Sequence, residues 1–425
     1  MLGAPLNKQA NDRENARRSL EGAKMRIAIV SAVYYPMING VAVFSHNLAK
    51  GLTRRGYEVL VLTPSPGRRA YSEELDGVKV RYVKSTEAKL YPDQIHATDG
   101  KHIFYENGFK VALQPGNEVK KALDEFRPDV IHVQVQDLLG RAAMSYGKKH
   151  HIPVVTTEHN QPEVLTEPLK LPKAIRRLVE FVLIKYFLAR HNKSDFMTMP
   201  TEAAISSLTK NGERNLYVKT KAVSNGVDLS KFRPGEAPAE IYEKYGLESG
   251  VPTAIYVGRV DPEKSVGAVL EAAKEARKII PKIQLVIVGD GVDRARLEAQ
   301  YAGQPEVKFL GRVVGDDLYA LYKVGDVFIT ASEIETQGIV LIEAAATGLP
   351  LIAVDKGAAR EVCRDMVNGR LCLAGNVKQM ADALVDILLN KGLQREYSEA
   401  SLKIAKENDF EHTLDEFIKI YKNIV

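Results

Sequence analysis

The chain has no tryptophan, only two cysteines in 425 residues, and no long uninterrupted apolar run. Each scarcity removes a class of protein. Cys363 and Cys372 are too few for a disulfide framework, so a reduced pair in a reducing compartment is expected. The most apolar stretch, Leu178 to Ala189, contains Glu180 and Lys185 and falls short of the roughly 20 apolar residues that span a bilayer. Charge of one sign is also in short supply. A net charge of +5 implies no nucleic-acid partner, although it suits an anionic substrate or an anionic lipid surface. Met1 to Lys24 are polar and mixed in charge, without the apolar core of a secretory signal. Residues 1–24 are therefore read as a flexible extension, and the protein as cytoplasmic.

The length allows two cores of roughly 150 to 200 residues. Arg26-Ile-Ala-Ile-Val30, Glu58 to Leu62, Val78 to Val83, Val130 to Val133, Val154 to Thr156 and Phe196 to Met199 read as strands, separated in the main by helical or irregular segments. The scheme restarts at Thr253-Ala-Ile-Tyr-Val257 and continues through Leu285 to Val288, Val307 to Leu310, Val327 to Thr330 and Leu351 to Ala353. Such alternation predicts an α/β protein with two Rossmann-like domains facing each other across a cleft. The turn-rich connection ending at Pro234 marks the boundary, giving domains 25–234 and 235–410. Ligands gather beyond the carboxyl ends of the strands in such sheets, so the site is expected between the domains.

The chemistry concentrates in Ser332-Glu-Ile-Glu335-Thr-Gln-Gly338-Ile339-Val-Leu-Ile-Glu343, where two carboxylates stand eight residues apart around a glycine. A helix starting just after Gly338 would turn its free N–H groups and positive end toward an anion such as diphosphate. Arg259 and Lys264 follow the first strand of the second half, where two cations can neutralise charge on a leaving diphosphate, Arg as a rigid fork and Lys as a point charge. Gly40 stands between the first strand and its helix, where backbone can approach phosphate or sugar closely. His159 ends a strand that faces the cleft. Taken singly, these features have plainer readings: an amphipathic helix with a charged first turn, solvated loop cations, a turn glycine and a structural histidine.

Together they resemble family 4 of the nucleotide-sugar-dependent glycosyltransferases, with the two-domain arrangement called GT-B. The resemblance runs from about Met25 to the C-terminus. It rests on Asn39-Gly40-Val41, His159, Ser224-Asn-Gly-Val-Asp228, Gly258-Arg259 with Lys264, Val288-Gly-Asp-Gly291, Phe309-Leu-Gly311, and Glu335 through Glu343. The resemblance implies that Arg259 and Lys264 bind the diphosphate of the donor, with Gly40, Gly338 and Ile339 close to it. It implies that Glu335 contacts hydroxyls of the sugar, that Glu343 holds the ribose, and that Gly311 with Arg312 lines the nucleobase pocket. His159 is expected beside the transferred sugar, bonding a hydroxyl and stabilising positive charge near the anomeric carbon. The reaction implied is retaining, with a phosphate oxygen of the leaving group taking the acceptor's proton. No cofactor is expected, and because the chain has no Asp-x-Asp, no catalytic metal either. A helix at 411–425 is expected to pack back on the first domain. Asn39, Ser224, Ser265 and Thr336-Gln337 depart from the commoner family pattern without removing a charged group.

For the acceptor, Pro168 to Lys193 is rich in both aliphatic and basic residues, among them Lys173, Arg176, Arg177 and Lys185. It reads either as a helix lying on anionic lipid or as an ordinary domain helix under a solvated basic face. Glu158-His-Asn-Gln-Pro-Glu163 and Ser332-Glu-Ile-Glu-Thr-Gln337 look like segments of bacterial diacylglycerol glucosyltransferases. That favours transfer of glucose from UDP-glucose to diacylglycerol by an enzyme peripheral on the inner face of the cell membrane. Transfer from GDP-mannose to phosphatidylinositol is a neighbouring reading, and a soluble sugar or inositol phosphate is the alternative acceptor. A nucleotide-sugar-binding protein without turnover is a third, disfavoured by the retention of Arg259, Lys264, Glu335, Glu343 and His159.

Overall fold

Strands buried on both faces are largely apolar, and the runs that open each half of the chain lie inside two sheets. The computed structural model describes residues 24–35, 37, 39–67, 69–88, 109–159, 166, 171–210 and 213–425. The extension read over residues 1–24 lies outside these apart from Lys24. So do Pro36 and Ile38 of the first loop, and most of the segment between His159 and α2, the helix defined below.

The first sheet contains β1 (Arg26–Val30), β2 (Glu58–Pro64), β3 (Tyr71–Leu75) and β4 (Val78–Val83), with β5 (Thr86–Ala88) and β6 (Phe109–Val111) forming a separate small ribbon. It continues with β7 (Val130–Val133), β8 (Val154–Thr157), β9 (Phe196–Met199) and β10 (Lys219–Ala222). The strand order is β10-β9-β8-β7-β1-β2-β4-β3, parallel except for β3 at the edge. The second sheet, β11 (Thr253–Val257), β12 (Gln284–Val288), β13 (Val307–Gly311), β14 (Val327–Ile329), β15 (Leu351–Val354) and β16 (Gly369–Cys372), is parallel in the order β13-β12-β11-β14-β15-β16. Counted from β11, this is the doubly wound order 3-2-1-4-5-6, whose direction reverses between β11 and β14. The same reversal lies between β1 and β7 in the first sheet. At both points the loops diverge to opposite sides and leave a crevice at the carboxyl ends of the strands.

Four helices bear on the site: α1 (Gly40–Arg54), α2 (Lys173–His191), α3 (Ile339–Ala346) and α4 (Phe410–Ile424). The last belongs to the first sheet's core although it follows the second in the chain. Leu414, Phe417, Ile420 and Tyr421 are buried with Ile27, Ile29, Phe44, Leu48 and Val61. A Cβ on Gly51 of α1 would stand 2.6 Å from a methyl of Leu414, so the two helices meet this closely only because residue 51 has no side chain. Arg54 and Arg55 clasp Glu411 at 3.0 and 2.6 Å, and Arg55 also reaches Asp415 at 2.7 Å.

Candidate active site

At the reversal of the second sheet, the loop after β11 makes a short 3₁₀ turn, Pro262–Lys264, that delivers Lys264 toward the loop after β14. Lys264 Nζ donates to Glu335 Oε1 at 2.7 Å and to Ser332 Oγ at 3.3 Å. The two charged side chains are only 17% and 15% exposed, so the pair is shielded enough for its charges to matter. Gly338 follows with φ of +77°, a conformation that favours glycine. The helix α3 then starts at Ile339 with no side chain capping it; the Leu341 amide already donates to the Gly338 carbonyl at 2.9 Å, so the N–H groups that the helix leaves for an anion are those of Ile339 and Val340. Its N-terminus thus lies beside the carboxylate of Glu335 and the ammonium of Lys264.

Arg259 is disposed differently. Its guanidinium bonds Asp261 and Glu263 of its own loop, and the side chain is 55% exposed. Glu343, in the second turn of α3, accepts from the hydroxyl of Tyr322 at 2.6 Å. Burial pushes its carboxyl up to about 7, against the lowering effect of that hydrogen bond. Gly311 ends β13, two strands along from β11, with φ of +71°, and the guanidinium of Arg294 covers the place a Cβ would take.

Across the crevice, Gly40 is the first residue of α1. A Cβ there would meet nothing within 4 Å, so packing within the chain does not require glycine at this position. Asn39 is the N-cap, its Oδ1 accepting from the Ala42 amide at 2.9 Å, which accounts for its departure from the family pattern. His159 follows β8, is 8% exposed, and packs its ring 5.2 Å from that of Phe44. Its Nε2 lies 2.7 Å from Gln134 Oε1, at the end of β7. Burial lowers the imidazole to about 4, so it is uncharged at neutral pH. Next to it, buried Glu158 reaches His191 Nε2 at 3.2 Å, while Gln136 Nε2 meets the other nitrogen of His191 at 2.6 Å. The last residue of α2 is thereby tied to the segment that carries His159.

The two halves touch through loops at the same strand ends. Thr201 Oγ1 donates to the carbonyl of Thr336 at 2.8 Å, and the Ala203 amide to Glu361 at 2.6 Å. Gln337, 4% exposed, accepts from the Asn225 amide at 3.1 Å and donates to Ser224 Oγ at 2.6 Å. Ser224 and Gln337, noted in the sequence as separate departures, are thus partners in one contact.

In α2, Ile184, Phe187 and Leu188 are buried with Met197, Met199, Ala204 and Leu208. Ile175, Leu178, Phe181, Val182 and Tyr186 remain exposed, Leu178 at 63%. Lys173, Arg177 and Lys185 are exposed beside them, Arg176 is part-buried with Nε 3.7 Å from Glu180, and Lys185 lies over the ring of Phe181 at 5.1 Å. Lys264, Glu335, Gly338 and Ile339 therefore come together; Gly40 and His159 belong to the facing sheet; the four basic residues of α2 form a separate surface. Gln134, Gln136, Tyr322 and His191 were not singled out from the sequence. No helix among the described residues is long and apolar enough to cross a membrane.

Residues 38–231 match the family described as Glycosyltransferase Family 4, and residues 239–404 match Glycosyl transferases group 1. A GDP-mannose-dependent alpha-mannosyltransferase of Mycobacterium tuberculosis is 29% identical, over 86% of this chain and 88% of that protein. An alpha-monoglucosyldiacylglycerol synthase of Acholeplasma laidlawii is 28% identical, over 77% and 80%. Anabaena HepE in complex with UDP-glucose superposes with a TM-score of 0.69 at 16% identity, over 94% of this chain and 100% of that one.

Proposed function

Since the chain belongs to the family 4 glycosyltransferases and is a hexosyltransferase of GT-B fold, we propose that it moves a hexose from a nucleotide sugar, UDP-glucose foremost, to a membrane lipid such as diacylglycerol. The observation that carries the lipid reading is the apolar ridge of α2. Ile175, Leu178, Val182 and Tyr186 recur at i, i+3, i+7 and i+11 and stay exposed, whereas the opposite face of the same helix is packed. A ridge of this kind, bordered by Lys185 on a helix whose N-terminal end also exposes Lys173 and Arg177, suits the interface of an anionic bilayer, where basic residues contribute about 1 kcal/mol each. The glucosyldiacylglycerol relative supports the same acceptor. The GDP-mannose-dependent relative favours a second reading with GDP-mannose as donor, and a phosphatidyl-myo-inositol mannosyltransferase of Mycobacterium leprae, 35% identical over 48% of this chain and 53% of that protein, supports phosphatidylinositol as its acceptor.

In this reading the diphosphate of the donor sits at the open N-terminus of α3, with Lys264 beside it and Gly40 beneath it from the other sheet. Glu335 takes sugar hydroxyls and Glu343 the ribose; Gly311 lies toward the base. The acceptor oxygen forms its bond to the anomeric carbon on the face that the leaving group departs from. The bond from that carbon to the diphosphate oxygen breaks, and the nucleoside diphosphate leaves with the acceptor's proton. The chain supplies orientation and charge stabilisation and needs no side-chain base, metal ion or cofactor.

The deciding experiment presents UDP-glucose, UDP-galactose and GDP-mannose separately, with and without diacylglycerol or phosphatidylinositol in anionic vesicles, and follows nucleoside diphosphate release. Lipid-dependent release from one donor is expected. Release that is donor-selective and indifferent to lipid would move the acceptor to a soluble sugar or inositol phosphate. Leu178→Ser with Arg177→Ser is expected to weaken sedimentation with anionic vesicles by roughly tenfold or more; unchanged binding would refute the α2 surface.

A pH dependence follows from Glu343. Ribose hydroxyls donate to a carboxylate, so binding favours the ionised form of a group that is half-protonated at about 7. Affinity for the nucleoside diphosphate is therefore expected to fall as the pH drops through this value, by up to about tenfold from about pH 8 to about pH 6. Glu343→Gln should bind more weakly at high pH and lose that component of the slope. Calorimetry that finds the same slope in both proteins would remove Glu343 from the ribose.

A further inference from the structure

A buried polar chain runs from the C-terminal helix to His159. Tyr421 of α4 places its hydroxyl 2.6 Å from His132 Nδ1, and His132 Nε2 lies 2.7 Å from Thr157 Oγ1. The amide nitrogen of Gln134 stands 3.2 Å from both ring nitrogens of His132, and its oxygen faces His159 Nε2 at 2.7 Å. His132 and Gln134 are fully buried, and Tyr421 is too. Nothing in packing alone asks for this arrangement: β7 is otherwise apolar, and an unbonded polar group at such a position costs about 1–3 kcal/mol. The one N–H and one lone pair of the His132 ring meet Tyr421 and Thr157, so the Gln134 nitrogen, equidistant from both ring nitrogens, rests against the ring face and leaves its oxygen directed at His159.

We infer that Gln134 is the positioning residue for His159, holding its imidazole as the Nε2–H tautomer, and that Tyr421 and His132 anchor Gln134 in turn. The amide oxygen only accepts, so the proton must sit on Nε2. Nδ1 is then left with a lone pair that can accept a hydroxyl hydrogen but cannot donate. Through Tyr421, a helix that follows the donor-binding half of the chain thus fixes the chemistry of a side chain on the opposite wall. The inference rests on the reading of His159 as lying beside the transferred sugar.

The test is nitrogen NMR of the full chain with labelled histidine, alongside steady-state kinetics. Wild-type His159 is expected as the Nε2–H tautomer; the Nδ1–H form would overturn the inference without any variant. Gln134→Leu is expected to give a mixed tautomer population and to lower kcat roughly 10- to 100-fold, with KM for the donor within about twofold. Tyr421→Phe, which keeps the ring in the core, should shift the same signals by less and lower kcat by less. A wild-type tautomer and kcat in both variants would overturn the proposal. Because the tautomer is read without substrate, it is separable from the site assignment: a fully active His159→Ala protein would sink the placement of His159 beside the sugar instead.

Discussion

Lys264→Ala and Glu335→Ala are each expected to lower hexose transfer by at least about 10²-fold while the protein stays folded. The two groups face one another at 2.7 Å in a shielded crevice, so each is also the other's counter-charge. Removing one leaves a partly buried ion unpaired, which costs about 1–3 kcal/mol of stability, well inside the margin of a folded domain. The larger loss falls on the transition state, where charge grows on the departing diphosphate and Lys264 is the ammonium at the head of α3. The variants are distinguished by their binding of the nucleoside diphosphate alone. Lys264→Ala should bind it more weakly. Glu335→Ala should bind it at least as tightly as wild type, since the carboxylate that competes for Lys264 is gone, and yet fail to turn over. The double variant should be scarcely worse than the poorer single one, as befits groups acting as a unit. Wild-type turnover in either single variant would dismiss this assignment. Arg259 is already neutralised by Asp261 and Glu263, so its recruitment requires breaking those bonds.

The central strands were legible because burial on both faces forces an apolar run, as in Thr253–Val257 and Leu351–Val354. Besides the short ribbon of Thr86–Ala88 and Phe109–Val111, the strands not listed from the sequence are those to which this rule does not apply. Tyr71–Leu75, Lys219–Ala222 and Gly369–Cys372 lie at sheet edges, where one side meets water and Glu73, Lys221 or Arg370 is admissible. The final helix was read from residue 411 and begins one residue earlier, at Phe410, because Asp409 caps it and Phe410 already enters the core. In the crevice, Lys264, Glu335 and Gly338 announced themselves by charge and by a glycine beside a helix start. Gln134, Gln136, Gln337 and Ser224 did not. They are neutral polar residues whose meaning depends on what the topology sets opposite them: His159, His191 and each other. The two readings of α2 both describe part of it, since the helix is packed on one face and bare on the other.

Deleting the chain beyond Asp409 should abolish folding of the first sheet, although the deleted residues lie far from it in sequence. Phe410, Leu414, Phe417, Ile420 and Tyr421 are all buried there, and each such side chain contributes about 1.5–3 kcal/mol. Their sum is of the same order as the whole stability of a domain, about 5–15 kcal/mol. The deletion would also strip Arg54 and Arg55 of their partners and leave His132 without the Tyr421 hydroxyl. A point variant makes the effect measurable in a protein that still folds. Phe417 touches the rings of Phe44, His132 and Tyr421, so Phe417→Ala opens a cavity with no side chain free to fill it and is expected to cost about 3–5 kcal/mol. That corresponds to a melting temperature lower by roughly 10 °C. Calorimetry should show the loss chiefly in the transition that melts the first sheet, with nucleoside diphosphate binding to the second largely retained. A truncated protein that melts and transfers like wild type would mean that α4 is dispensable to the sheet it covers.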